Sequence, residues 1–397
     1  MSIFHIWPEE PRRKDGSLEV AATLEAPGRE RQRLWYSIPE DRAGDLPDSC
    51  DLFTVGLIFL MMQAGVDVEV HGKVSPSLLR NLTEYQAVWA EWLPFLHNVE
   101  IRADQEEEWA PSDPREDAIL SFSGGVDSCF TAYRNVPKSG LRNRRLSTAA
   151  IMVHGFDIPL DEPETYASAL KRSENMTSSL GLDLIPIATN HRLLVEDWSH
   201  SFGPAIASCL MLFSGRFKAG LIAQGLTYGE LGLLYEGSNP LTDPMLSSDS
   251  FRVIPDGGAY HRADKISEMQ DWSEFLQHLR VCWAGPQKDR NCCVCEKCIC
   301  NILTFRALGL GLPPCFDHDV SIQQINGMGL GNKPLAILRF GGLEKLAAEH
   351  GSGGEWVRVL GKRLAPLNWF QKSRIVRYLK HPRHYAGRAW QILTRKS

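Results

Sequence analysis

The stretch "AILSFSGGVDSCFTAYRN", Ala118 to Asn135, runs an apolar strand into a Ser-Gly-Gly turn and then into a helix. Glycines at 124 and 125 permit backbone angles and a close approach that a Cβ would forbid, so successive N–H groups can point at one anion. A helix starting near Asp127 adds the partial positive charge of its amino terminus. Ser121, Ser123 and Ser128 offer hydroxyl donors to the same place, while Asp127 either holds a magnesium ion or caps the helix. The chemistry these residues suit is phosphate binding. No GKS or GKT follows, which excludes a Walker A loop, and the GxGxxG of dinucleotide folds is missing as well. An ordinary turn capped by Asp127 or Ser128 explains a lone SGG, but it explains strand, SGGxDS and helix in one order less well.

Five of the ten cysteines fall between Cys292 and Cys300. In "RVCWAGPQKDRNCCVCEKCICNILTFRALG" the spacing Cys292-x-x-Cys295-x-x-Cys298, with Cys282 upstream, brings four thiolates together through a loop and a tight knuckle. A closed tetrahedral zinc site is the first metal reading of that pattern, and an iron–sulfur cluster is its rival. Four cysteine ligands leave zinc no open position, so its role is to fix a loop. Cys293 and Cys300 either replace a ligand or pack as small hydrophobes.

The elements that must carry these residues follow a regular order: strand 118–122, helix from 127, strand 149–154, helix 163–180, strand 182–188, helix 203–215 and strand 219–226. Strands alternating with helices predict an α/β fold, a parallel sheet with helices on both faces, whose ligands sit beyond the carboxyl ends of the strands. The Ser-Gly-Gly turn is at that end. Upstream, strands at 18–26, 33–39 and 66–72 and helices at 51–64 and 75–92 predict a small α+β domain, followed by an acidic linker over 103–117. The boundaries are therefore 1–116 for the accessory domain and linker, 117–311 for the phosphate-binding domain with its knuckle, and 312–397 for a helical region with a tail.

"SFSGGVDS" resembles the PP-loop of the N-type ATP pyrophosphatases, and a PP-loop followed by a cysteine knuckle is similar to the 7-cyano-7-deazaguanine synthases. The resemblance covers about half the chain. It implies a five-stranded parallel sheet of the adenine-nucleotide-hydrolase-like (HUP) kind, with Ser121, Ser123, Gly124, Gly125, Val126, Asp127 and Ser128 binding ATP. By position it also makes Cys282, Cys292, Cys295 and Cys298 the ligands of a structural Zn2+. Lys265, before an amphipathic helix, matches the family lysine that faces the phosphates and would neutralise departing pyrophosphate, so Asp127 and Lys265 are the expected catalytic pair. His154 and Asp157 end the second strand, where either would contact adenine, substrate or Mg2+, and Asn239 and Asp243 in "GSNPLTDP" rim the site. Cys129 faces the sheet and packs.

The family's substrate side is altered: "HGFDIPLD" stands where an Asp-Tyr-Gly-Gln stretch is usual, "GPAIASC" where Pro-Ala/Gly-Arg-Asn is, and Cys293 where a glycine follows the second ligand. The implied activity is a ligase or synthase of changed specificity. It adenylates a carboxylate or carbonyl acceptor, releases pyrophosphate, and transfers nitrogen from ammonia or an amine. The alternatives are ATP-dependent sulfur transfer to tRNA through Cys293 or Cys300, and a non-catalytic nucleotide-binding scaffold in a bacterial defence or polysaccharide complex.

Net charge is −5, but residues 356–397 carry eleven of the 43 lysines and arginines and no acid. The tail also holds Trp369, Phe370, Tyr378, Tyr385 and Trp390, a mixture suited to RNA or an anionic membrane surface, or to docking on the acidic body. Docking within the chain ranks first because it buries the apolar residues without a partner. A second copy of the chain is the remaining expected partner. The amino terminus has no secretory pattern and the run 52–64 is too short to span a bilayer, which predicts a cytoplasmic protein.

Overall fold

Alternating apolar and polar residues near the amino terminus make strands with one buried face: Phe4 and Ile6 are buried, while His5 and Trp7 point the other way. The computed structural model describes residues 2–43, 46–109, 116–137, 142, 144–231, 234–282, 284–330 and 333–372, with backbone alone at 333, 334 and 366–372. The side chains of the basic aromatic tail, from Leu367 on, lie outside the described residues. No helix among the described residues is long and apolar enough to cross a membrane.

The chain divides into two units, residues 1–292 with 313–315, and residues 293–312 with 316–397. The first opens with β1 (Phe4–Pro8), β2 (Arg12–Lys14), β3 (Ser17–Glu25) and β4 (Gln32–Pro39). Then come α1 (Asp51–Gly56), α2 (Ile58–Ala64), β5 (Val68–Val74), α3 (Pro76–Trp92) and β6 (Ile101–Glu106). The alternating part consists of β7 (Glu116–Ser121), α4 (Val126–Arg134), β8 (Ser147–His154), α5 (Pro163–Ser179), β9 (Asp183–Thr189), α6 (His191–Leu194), α7 (Trp198–Met211) and β10 (Phe217–Ala223). It closes with β11 (Arg252–Asp256), α8 (Arg262–Glu268) and α9 (Ser273–His278).

Among the described residues all eleven strands join one mixed sheet, ordered β11-β10-β7-β8-β9-β4-β3-β1-β5-β6, with β2 beside β3. This corrects the expected free-standing five-stranded parallel sheet. Five parallel strands, β11 to β9, are present, but they make up one stretch of a larger sheet. The cause is the edge of β9, whose unpaired N–H and C=O groups are taken by β4 in antiparallel register, Tyr36 opposite Thr189. Side chains extend this short ladder: Thr189 Oγ1 donates to the Trp35 carbonyl at 2.7 Å, and the Asn190 amide bonds Trp35 N–H and the Arg33 carbonyl at 2.9 and 2.6 Å. The expected linker is also different, since its first residues form β6 along β5. The helix expected over 51–64 is two helices meeting at Leu57.

One apolar core runs under both parts of the sheet, from Phe4, Leu34 and Trp89 to Ile119, Ile185 and Phe251. Gly56 lets α1 approach α7, because a Cβ there would stand 2.8 Å from the Tyr36 hydroxyl, which donates to Ser208.

The second unit is helical: α10 (Glu296–Ala307), α11 (Ile322–Gly327), α12 (Lys333–Phe340), α13 (Leu343–Glu349) and α14 (Glu355–Lys372). Within it Arg339 bonds Glu296 at 2.8 Å, and the Ser352 hydroxyl donates to the last turn of α10 at Ala307.

Candidate functional site

The Ser-Gly-Gly turn leaves the carboxyl end of β7 and enters α4 within four residues. Gly124 has φ +76°, a left-handed conformation that costs a Cβ-bearing residue about 1 kcal/mol or more. Gly125 is extended and caps α4, whose first residue is Val126. Ser128 closes the loop on itself: its Oγ accepts from Ser123 N–H at 3.2 Å and donates to the Gly125 carbonyl at 3.1 Å. Ser121 is set apart, with its hydroxyl 3.4 Å from the Leu221 carbonyl on β10.

Arg280 braces the loop from outside. Its N–H donates to the Gly124 carbonyl and its Nη2 to the Ser123 carbonyl, both at 2.9 Å, and Asp157 lies 3.8 Å from the guanidinium. Its buried Nε has no hydrogen-bond partner among the described residues. Sequence reasoning missed this residue; its place two positions before Cys282 is its only signal.

Asp127 and Lys265, expected as a pair, do meet. Lys265 Nζ is 2.7 Å from Asp127 Oδ1 and 2.6 Å from the Gln224 carbonyl just beyond β10, and its side chain is only 1% exposed. Arg262, one turn earlier on α8, reaches the other carboxylate oxygen at 3.1 Å. Asp256 ends β11 close by, accepting from Thr131 at 2.9 Å, and burial raises its carboxyl above the usual range against the opposing pull of Arg134. The cradle, Lys265 and Asp256 thus gather at the carboxyl ends of β7, β10 and β11, where parallel sheets place ligands.

His154 is engaged elsewhere. Its Nε2 is 2.7 Å from the Pro159 carbonyl and its ring stacks on Tyr166 with centroids 4.4 Å apart. Asn239 and Asp243, read as rim residues, are buried and hold their own loop together: Asp243 accepts from Ser238 and Gln224 at 2.7 and 2.8 Å and from Asn239 N–H at 3.1 Å. Cys129 packs against Met176, and burial pushes its thiol well above the ordinary value.

The Sγ atoms of Cys282, Cys292, Cys295 and Cys298 all lie within 4.8 Å of one another. A tetrahedral zinc with Zn–S near 2.3 Å needs sulfurs roughly 3.8 Å apart, so the four thiols fit such an ion. Local structure explains the convergence. Asn291 accepts from the N–H groups of Val281 and Cys282 and donates to the Leu279 and Cys315 carbonyls, which ties the first ligand to the second. Cys295 caps α10, with its sulfur accepting from Cys298 N–H at 3.5 Å. Cys293, between Cys292 and Cys295, turns the chain at φ +57°, a region glycine enters more easily. Cys293 and Cys300 are both buried, and the Cys300 thiol donates to the Arg339 carbonyl at 3.2 Å.

Compared with protein-family models, with curated proteins and with solved structures, the chain matches none of them.

Proposed function

We propose that the chain is an ATP-dependent synthase of the PP-loop kind, which adenylates a carboxylate or carbonyl oxygen and then transfers nitrogen to it. One observation carries this reading. Lys265, brought from far along the chain, places a buried ammonium 2.7 Å from Asp127, in the first turn of a helix whose amino terminus follows two glycines.

In this reading the loop N–H groups of residues 123–128 and the Ser123 and Ser128 hydroxyls receive the β and γ phosphates. The acceptor oxygen forms a bond to the α phosphorus as the bond to the pyrophosphate oxygen breaks, and Lys265 and Arg262 stabilise the charge gathering on the departing group. Asp127 holds both cations in place. Magnesium, when bound, offsets phosphate charge. Ammonia or an amine then attacks the activated carbon and AMP leaves. A four-cysteine zinc has no vacant position, so its part is to fix the knuckle. Sulfur transfer through Cys293 or Cys300 is disfavoured by the burial of both thiols.

The test is AMP and pyrophosphate release from Mg-ATP by the full chain, with 7-carboxy-7-deazaguanine and ammonium among the acceptor and donor pairs screened. Release that falls at least a hundredfold in Lys265→Met is the expected result. Tight ATP binding with no release under any acceptor would move the assignment to a nucleotide-binding scaffold.

A further inference from the structure

On the sheet face opposite the core, β1 and β5 bring three side chains to one point. The strands are parallel and His5 lies opposite Glu69 in register, with His71 two residues further along β5 on the same face. His5 Nδ1 is 2.9 Å from His71 Nε2 and 3.6 Å from Glu69 Oε2, and one ligand atom from each of the three residues lies within 4.8 Å of the others.

The arrangement behind His71 separates this cluster from a chance pair of surface histidines. Its second ring nitrogen, Nδ1, faces Asp104 Oδ1 on β6 at 3.5 Å, while Nε2 points into the cluster. A carboxylate on that side favours the proton on Nδ1 by its charge, at an ion-pair distance rather than in a formed hydrogen bond, which leaves Nε2 as the ligand atom; in carboxylate–histidine–metal triads the same contact closes to a hydrogen bond. Trp7 lies flat on the His71 ring, 3.4 Å away at an angle of 5°, and holds its plane. All three ligand residues are partly exposed, so an ion can reach them from solvent.

We propose that His5, Glu69 and His71 form a second metal site, for a divalent transition-metal ion such as zinc or nickel, with Asp104 as the carboxylate that orients His71. Two imidazoles and one carboxylate suit borderline ions of this class better than magnesium or calcium. Three protein ligands leave at least one position for water or an exogenous ligand, unlike the four-cysteine site. The cluster shares no residue with the phosphate cradle or the knuckle, and its metal content does not depend on ATP turnover.

The experiment uses untagged full chain given one equivalent of zinc, which the tighter four-thiolate site takes, then titrated with Ni2+ by calorimetry while tryptophan fluorescence reports quenching near Trp7. One Ni2+ per chain at micromolar concentration is expected. Glu69→Gln and His71→Ala should each weaken it at least thirtyfold, and Asp104→Asn about tenfold. Two substitutions at different ligands guard against a folding defect in one, and each variant is checked by thermal melt. Ni2+ binding that is absent below millimolar, or that survives both Glu69→Gln and His71→Ala, would overturn the proposal.

Discussion

Lys265 poses the sharpest question of energy at a single residue. A buried ammonium is tolerable because it donates hydrogen bonds to Asp127 and to the Gln224 carbonyl at 2.7 and 2.6 Å. Removing the carboxylate alone strands that charge, and breaking a buried pair costs about 3–5 kcal/mol. Asp127→Ala is therefore expected to lose stability on that scale in urea denaturation. Lys265→Met added to it should restore most of the loss, because a hydrophobe of similar length fills the site without charge. Neither protein should bind ATP tightly. A cost under 1 kcal/mol for Asp127→Ala would show that the ammonium finds other partners. This pair was also the most legible part of the site. SGGVDS suggests a phosphate site through residue types at fixed offsets, and Lys265 follows from resemblance, whereas Arg280 and Gln224 meet the loop and Lys265 through backbone carbonyls, Ser123 O and Gln224 O, that no residue type records.

Two buried groups on different elements set opposite pH responses. Burial lifts the Asp243 carboxyl, in the loop after β10, to about 7, against hydrogen bonds from Ser238, Asn239 and Gln224. Burial pulls the His191 imidazole, at the start of α6, down to about 4, against its bond to the Gly56 carbonyl. The raised Asp243 contributes stability that is complete below about pH 4 and lost as pH rises to about 7. The depressed His191 contributes stability that is complete above about pH 6.5 and lost as pH falls towards 4. In wild type the two trends oppose each other. Asp243→Asn should make stability fall more steeply on acidification from pH 7 to 4, and His191→Gln should make it fall less or rise. Each change is on the order of 3 kcal/mol across the window, read from denaturant midpoints. Asn suits the loop because Gln224 Oε1, which has no partner among the described residues, can turn to accept from its amide. Equal pH slopes in both variants and wild type would remove these groups as the cause. Their roles were hidden in the sequence, since Asn-Pro and Asp-Pro in "GSNPLTDP" signal a turn but not its burial.

At the scale of the molecule, the strand and helix order from 118 onward could be read because each element has its own period. The joining of the two sheets could not. Only two backbone pairs link β4 to β9, and the residues that secure them, Thr189 and Asn190, look like any strand end. β11 was missed because Arg252 to Asp256 contains a proline and sits at the sheet edge, where proline is tolerated. The continuous sheet makes a direct prediction for residues 117–397 expressed alone. Without β4, the edge of β9 is open, so this fragment should elute as aggregate in size-exclusion chromatography. A monodisperse fragment would mean that residues 1–116 are dispensable for the fold.

The same pairing also sets a schedule. Trp35 and Thr189 are 154 residues apart, so at 5–20 residues per second a nascent β4 waits roughly 8–30 s for its neighbour to be made. During that interval β3 and β4 can pair with each other but end in an uncovered edge. The antiparallel strands are thus made first and completed late, and their yield on the ribosome depends on how well that edge is shielded until β9 arrives.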